Sequence, residues 1–240
     1  MTQQKPKNTR KKKSRAMLKL GSYVVVLFAG VLAWYYWINP WVTSTFIYNT
    51  PWFEVAWSVG KAFIWIAPVF IFLKWIDKEK PIQYLNFGYN LPKGLLWGVI
   101  LSLVWIGISF IVEYCFKDKQ YTFNIILHYW VGGALVGLFE EIPFRGYLLP
   151  KLEDHFKSFW MANIFTTLIC LLSYFPKWFT SVPPGTSTDQ IYQRLGVLIL
   201  PVLIWSLVFG YIYKKTNNLW TVIILHSVTS LLVYLQIGFV

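Results

Sequence analysis

Charged residues are scarce in this chain. Asp, Glu, Lys and Arg make up 13% of its 240 residues, whereas 56% are hydrophobic and 20% aromatic. Soluble proteins carry about 25% charged residues, and a chain with about half that share has too little polar surface to remain in water. The composition therefore excludes an ordinary soluble domain.

Long apolar stretches take the place of the missing charge. A helix needs about 20 apolar residues to cross the hydrocarbon core of a bilayer. Stretches of that kind lie at 18–38, 54–76, 94–116, 123–150, 158–175, 192–213 and 219–239. The sequence predicts an all-α fold, a polytopic integral membrane bundle of about seven transmembrane helices.

Cysteine is almost absent as well. Cys115 and Cys170 both lie in apolar stretches without a CxxC motif, which predicts free packing thiols rather than a disulfide framework. No internal repeat is found. We expect one transmembrane domain, 18–240, behind a disordered basic tail, 1–17. The most loop-like stretch is 176–190, whose Pro, Gly and hydroxyl residues are typical of a helix connection.

Positive charge is concentrated at the N-terminus. Seven of the 22 Lys and Arg residues lie within positions 1–15, directly before the first apolar stretch. That stretch ends in AWYYWINPW, with bulky aromatics where signal peptidase requires small residues, so we expect an uncleaved span. We expect the protein to lie in the cell membrane with its N-terminus in the cytoplasm, because Lys and Arg favour cytoplasmic loops. The segments predicted to be cytoplasmic are then 77–93, 151–157 and Lys214–Lys215, and 176–190 is predicted to be external.

The formal net charge is +12. A basic run next to a membrane span indicates contact with anionic membrane lipid, and no nucleic-acid partner is expected. Lys61 and Glu113 lie on adjacent predicted spans, a few turns from the predicted external face. They either pair with each other or extend to the membrane surface at a helix end, and the second interpretation is favoured.

Two adjacent glutamates interrupt the fourth apolar stretch, in ALVGLFEEIPFRGYLLPKL. Ionisable groups are costly inside a membrane unless they are partnered, so they indicate a functional site. Glu141 and Arg145 are four residues apart, which places them on one helix face within reach of an ion pair. Glu140 lies roughly 100° around the helix. Pro143 predicts a kink or an unpaired carbonyl beside the glutamates.

The same helix face continues through Gly133 and Gly137, which allow a neighbouring helix to approach closely. In the alternative interpretation the helix ends after Phe139 and both glutamates are cytoplasmic surface residues. Against that interpretation, PFRGYLL remains apolar for two further turns.

The last stretch contributes His226 and Ser230, which are four residues apart and share a helix face. His226 lies about two turns from the predicted cytoplasmic end, at a depth comparable with that of the glutamates. A hydrogen-bonded packing role and a catalytic role both remain open for it.

Together, EExxxRGYLLPKL and GYIYKKTNNLWTVIILH resemble the CAAX-protease and bacteriocin-processing (Abi) family of intramembrane proteases, over about residues 125–235. The family pattern is EExxxR, FxxxH, and HxxxN or HxxxD on successive helices. The resemblance implies an endopeptidase that cleaves membrane-associated peptides or proteins near the cytoplasmic face. It implies that Glu140 activates water, that Glu141 and Arg145 support it, and that His226 is the histidine of the third motif.

Two positions depart from the family pattern. LICLLSYFPKW contains no histidine, so Tyr174, or else Ser173, takes that place, and Ser230 replaces Asn or Asp. Neutral hydroxyls are poor zinc ligands, and no cofactor is expected although the family leaves zinc open. Hydroxyls can still donate to an oxyanion. The predicted catalytic set is Glu140, Glu141, Arg145, His226, Tyr174 and Ser230, converging on one polar cavity open to the cytoplasm.

Two other functions compete with an endopeptidase. The altered motifs favour a catalytically degenerate family member, a bacteriocin-immunity or membrane regulatory scaffold with a membrane protein partner. A transporter or channel is the weaker alternative, since no inverted repeat with broken helices is found.

Overall fold

The computed structural model describes residues 7–48, 50–116, 127–182 and 185–234. Within these ranges the chain forms eleven α-helices. They are α1 (Lys7–Ala33), α2 (Asn39–Thr45), α3 (Pro51–Trp65), α4 (Ala67–Ile71), α5 (Pro81–Tyr84), α6 (Leu91–Phe116), α7 (Leu127–Glu141), α8 (Leu149–Phe156), α9 (Phe159–Thr180), α10 (Thr188–Thr216) and α11 (Leu219–Tyr234). Three π-helical segments connect or extend these α-helices. Trp34–Ile38 joins α1 to α2, Phe72–Asp77 extends α4, and Ile142–Leu148 joins α7 to α8.

Five of the described helical stretches are long and apolar enough to cross a membrane. They are Ser14–Thr45, Pro51–Asp77, Leu91–Val112, Phe159–Thr180 and Val197–Thr216. Many of their large apolar side chains point outward, as expected for a surface in contact with lipid tails. The predicted all-α membrane bundle is confirmed.

The count of seven spans is not confirmed. The predicted stretch 123–150 begins outside the described residues, and 219–239 ends outside them. Their described parts are α7 with the segment that follows it, and α11, which is apolar but short.

The prediction of a disordered tail is wrong for the part of the tail that is described. α1 begins at Lys7, so helix runs from the basic segment directly into the first span. Lys and Arg are good helix formers. Between Pro6 and Pro40 the sequence contains no proline to interrupt the helix.

The connection predicted at 176–190 is shorter than expected, because α9 runs through Pro176 to Thr180. The Thr180 hydroxyl donates to the Pro176 carbonyl at 2.8 Å and closes the last turn. α10 then begins with a capping box, in which Ser187 and Gln190 satisfy each other's backbone N–H groups. A proline this close to a helix end removes one hydrogen bond without ending the helix.

The closest approach in the bundle lies between α7 and α11, at the two glycines of the fourth stretch. A Cβ at Gly137 would lie 2.2 Å from the Ile223 carbonyl oxygen, and one at Gly133 would lie 3.1 Å from the backbone of α11. The Ser227 hydroxyl donates to the Ala134 carbonyl at 2.7 Å across the same contact. This backbone-to-backbone packing sets the distance between the glutamates and the histidine.

The turn between α10 and α11 is fixed against the start of α6. The Asn218 side-chain amide donates to the carbonyls of Tyr89 and Asn90 at 2.9 and 3.2 Å. The Thr221 hydroxyl donates to the Gly94 carbonyl at 3.1 Å. α11 is therefore held in position from two sides, by α6 and by α7.

Asp77 marks one end of the bundle. Its carboxylate accepts a hydrogen bond from the Tyr147 hydroxyl at 3.1 Å and pairs with Lys151 at 2.9 Å and Lys19 at 3.4 Å. The ends of two spans and the segment from Tyr147 to Lys151 thus meet on the side that the sequence predicts to be cytoplasmic. We call this side the Asp77 end of the bundle.

We predict that Gly137→Leu prevents α7 and α11 from packing, because no side chain fits between the Gly137 Cα and the Ile223 carbonyl. The measurement is the yield of monodisperse protein in mild detergent, which should fall severalfold. Gly107→Leu is the matched control, since Gly107 lies on α6 with nothing within 4 Å of its Cβ position. Equal yields of the two variants would contradict the packing described here.

Candidate active site

The predicted site begins at a break in helix geometry. Pro143 has no N–H and its ring clashes with the carbonyl four residues earlier, so the α-helical hydrogen bonding cannot continue through it. The chain adopts a π-helix instead, and the Leu149 N–H bonds to the Phe144 carbonyl five residues back. Such wide turns are frequent at functional sites. The segment is fully packed: every residue of Ile142–Leu148 is buried.

Glu141 is the most deeply buried acid of the site, with 0% of its surface exposed. Arg145, 1% exposed, donates to Glu141 Oε1 at 3.1 Å. The other guanidinium nitrogen of Arg145 donates to the Ser206 carbonyl at 2.7 Å and to the Ser206 hydroxyl at 2.8 Å. Ser206 in turn donates to Thr167 Oγ1 at 3.0 Å. The ion pair is thereby tied to α9 and α10.

His226 reaches the same carboxylate from α11. Its Nδ1 lies 2.6 Å from Glu141 Oε1, and its ring stacks on Phe209 at a centroid distance of 4.6 Å. The two atoms share one hydrogen in this contact, which fixes the orientation of the imidazole ring. Nε2 then points towards Glu140 Oε2, 3.9 Å away.

Glu140 faces a different direction from Glu141 and accepts a short hydrogen bond from the Tyr174 hydroxyl. Of the two residues that the sequence offers for the histidine of the second motif, Tyr174 is the one that contacts Glu140. The Ser173 hydroxyl instead donates to the Cys170 carbonyl of its own helix at 2.6 Å. Trp178 stacks on the Tyr174 ring at 5.8 Å and fixes its orientation.

A cavity of about 510 Å³ opens beside Glu140. Glu140, Arg145, Tyr174, His226 and Ser230 all contribute to its wall. Glu141 does not, and acts behind the wall through Arg145 and His226. Five of the six predicted site residues therefore line one cavity, and the sixth holds two of them. Their catalytic roles remain predictions.

The lining of the cavity extends towards the end of the bundle opposite Asp77, and the opening towards the cytoplasm stays a prediction. The cavity wall includes Lys177, Val197 and Val233, which lie near the opposite ends of α9, α10 and α11. On the Asp77 side, Tyr147 packs against Tyr23 at a centroid distance of 4.4 Å.

Lys61 is a site residue that the sequence analysis did not identify. Its side chain is 6% exposed and lines the cavity, so it does not extend to the membrane surface. Its ammonium lies over the rings of Trp57 at 4.5 Å, Trp65 at 5.2 Å and Phe139 at 5.8 Å. The favoured interpretation of Lys61 is thus wrong, while the side chain of Glu113 lies outside the described residues. The sequence does contain a signal for this contact, because Trp57 and Trp65 each lie four residues from Lys61 and so on the same helix face.

The residues present do not suit a zinc ion. Among the described residues no group of three or more His, Cys, Asp and Glu side chains is arranged to hold a metal. Zinc sites use three or four such ligands, whereas Glu140 is bonded to a tyrosine hydroxyl and His226 Nδ1 to Glu141.

We predict that Arg145→Leu destabilises the protein by about 3–5 kcal/mol, the typical cost of leaving one partner of a buried ion pair without the other. Thermal unfolding in detergent, followed by the fluorescence of the 14 tryptophans, measures the change. Lys214→Leu is the control: its pair with Glu153 is partly exposed, and its loss should cost about 0–1 kcal/mol. Equal unfolding temperatures for both variants would contradict the central role of the Arg145 pair.

Residues 121–232 match the family model described as Type II CAAX prenyl endopeptidase Rce1-like. The matched region contains both glutamates, Arg145, Tyr174, His226 and Ser230, which the fold brings together around one cavity. Comparisons with curated proteins and with solved structures give no match. This chain is a multi-pass membrane protein, and its residues 121–232 are similar to the Rce1-like, CAAX-protease family of membrane endopeptidases.

Proposed function

We propose that the protein is an intramembrane endopeptidase in which Glu140 is the general base. One observation carries this proposal: Glu140 faces a cavity and accepts a hydrogen bond from Tyr174, while Oε1 of the adjacent Glu141 is bound by both Arg145 and His226 behind the cavity wall. Two neighbouring carboxylates in different surroundings can take different roles.

In this mechanism a water molecule in the cavity donates a proton to Glu140 and attacks the carbonyl carbon of a peptide bond. A side chain positioned to take such a proton contributes typically 10²–10⁴-fold to the rate. Glu140 then returns the proton to the leaving nitrogen as the C–N bond breaks. The proton taken from water thus ends on the amine, and the hydroxyl on the new carboxyl group.

The oxyanion formed by the attack needs hydrogen-bond donors. The Tyr174 hydroxyl is within reach of Glu140, and the Ser230 hydroxyl lies on the same cavity wall. His226 Nε2, 3.9 Å from Glu140 Oε2, lies on the Glu140 side of the ring. The contact of Glu141 with Nδ1 fixes the orientation of the imidazole, as the carboxylate does in a serine-protease triad.

The substrate class follows from the surroundings of Glu140. The wall that α10 contributes includes Val197, Leu198 and Val202, which suit an apolar membrane-associated peptide or protein segment. The protein lies in the cell membrane with a cytoplasmic N-terminus in this proposal. Glu140 then lies in the cytoplasmic half of the bundle. In this proposal the substrate enters the cavity from the side that faces away from the Asp77 end.

We predict that Glu140→Gln abolishes proteolysis, because an amide cannot accept the proton of water. Membrane fractions of cells that express the wild-type protein should contain new peptide ends, detected by mass spectrometry, that are absent with the variant. Tyr174→Phe should lower their rate of appearance about a hundredfold, since it removes one O–H donor and keeps the ring. Tyr174→His combined with Ser230→Asn should raise the rate.

The control is protein abundance and unfolding temperature, both of which Glu140→Gln should leave near the wild-type values. Wild-type peptide ends in cells carrying a folded Glu140→Gln protein would overturn the enzyme proposal. The scaffold or immunity role would then be favoured, because binding tolerates a neutral isostere.

Orientation has its own test. We predict that a cysteine replacing Ser181 reacts with a membrane-impermeant thiol reagent in intact cells, and that one replacing Ser14 does not. Both variants are made in a chain whose native Cys115 and Cys170 are serine, so that each reports one position. Permeabilised cells, in which both should react, provide the control. Equal reaction in intact cells would contradict the cytoplasmic N-terminus.

A further inference from the structure

The cavity beside Glu140 carries more positive than negative charge. Of the charged side chains on its wall, Glu140 is the single acid within the described part of the chain, whereas Lys61, Arg145 and Lys177 are bases. Arg145 is neutralised by Glu141 behind the wall. One lysine balances Glu140, which leaves one positive charge in excess.

Lys61 is held in place without being neutralised. Its ammonium rests on the buried rings of Trp57, Trp65 and Phe139 at 4.5–5.8 Å. Aromatic faces stabilise a cation through their quadrupole, and they leave its net charge unchanged. One ring of this cage, Phe139, directly precedes Glu140 in the sequence, and the caged ammonium lies on the same cavity wall as Glu140.

Lys177 approaches from α9, three residues after Tyr174 and so on a neighbouring part of the same helix face. Its side chain is partly buried and lines the cavity together with Lys61. The two lysines and Glu140 thus share one cavity wall. The ammonium groups of Lys61 and Lys177 repel each other, and an anion bound between them removes that repulsion.

We propose that Lys61 and Lys177 form an anion subsite that binds a carboxylate of the peptide substrate beside Glu140. The inference rests on the proposed function for the identity of the ligand, a peptide. The carboxylate belongs either to an acidic side chain or to the C-terminus, and both present the same chemistry to an ammonium. Binding there places the peptide backbone over Glu140 and balances the excess charge of the cavity.

The test uses four dansylated octapeptides of Leu and Ala, which carry either Asp or Asn at one position and end in either a carboxylate or an amide. Their dissociation constants are measured by fluorescence with the full chain in phosphatidylcholine nanodiscs, where no anionic lipid competes. We expect an anionic peptide to bind about tenfold or more tightly than the peptide with Asn and an amide, the usual gain from a charged hydrogen bond. The Asp and carboxylate arms show which source of the anion is preferred.

Lys61→Met and Lys177→Met should each reduce this preference severalfold, and Lys61→Arg should keep it. Lys214→Met is the matched control, because Lys214 pairs with Glu153 away from the cavity, and it should keep the wild-type preference. If Lys61→Met does not fold, Lys177→Met decides the test. Equal binding of all four peptides, or an unchanged preference in both methionine variants, would overturn the subsite.

Binding and cleavage are scored separately, with the integrity of each peptide checked by mass spectrometry after the measurement. A preference for anionic peptides without any cleavage supports the subsite and counts against the enzyme proposal. Cleavage without any preference for anionic peptides supports the enzyme proposal and overturns the subsite.

Discussion

The buried charge of Glu141 is the constraint on which the rest of the site depends. A carboxylate with no exposed surface is costly unless it is paired and hydrogen-bonded, and here Arg145 and His226 both bind the same oxygen. Meeting this requirement brings together the π-helical segment, α10 through Ser206, and α11 through the histidine. The arrangement that stabilises Glu141 also leaves Glu140 facing the cavity.

Much of this could be predicted from the sequence, because it depends on local spacing. The ion pair between Glu141 and Arg145 follows from a four-residue separation, and the close approach of α11 follows from Gly133 and Gly137. The departure from helix geometry follows from Pro143, although a π-helix rather than a kink results. These features need only the periodicity of one helix and the size of its side chains.

Features that depend on packing between distant segments could not be predicted. Lys61 lies in a span far from the glutamates in sequence, and its contact with Phe139 depends on how α3 packs against α7. The contact of Tyr23 with Tyr147 at the Asp77 end likewise joins two segments that are far apart in sequence. Ring packing of this kind has no signature in spacing or charge.

The π-helical segment has a consequence for how this helix can vary. A π-turn accommodates about one residue more than an α-turn, so it shifts the phase of everything after it by roughly 100° relative to a continuous α-helix. Glu140 and Glu141 can therefore face the cavity and α11 while Tyr147, on the far side of the turn, faces Asp77. Removing a single residue from Ile142–Leu148 would restore regular geometry and make these two orientations incompatible. The π-helical segment therefore lets Glu140, Glu141 and Tyr147 lie on different faces of one continuous helix, so that each reaches its own partner.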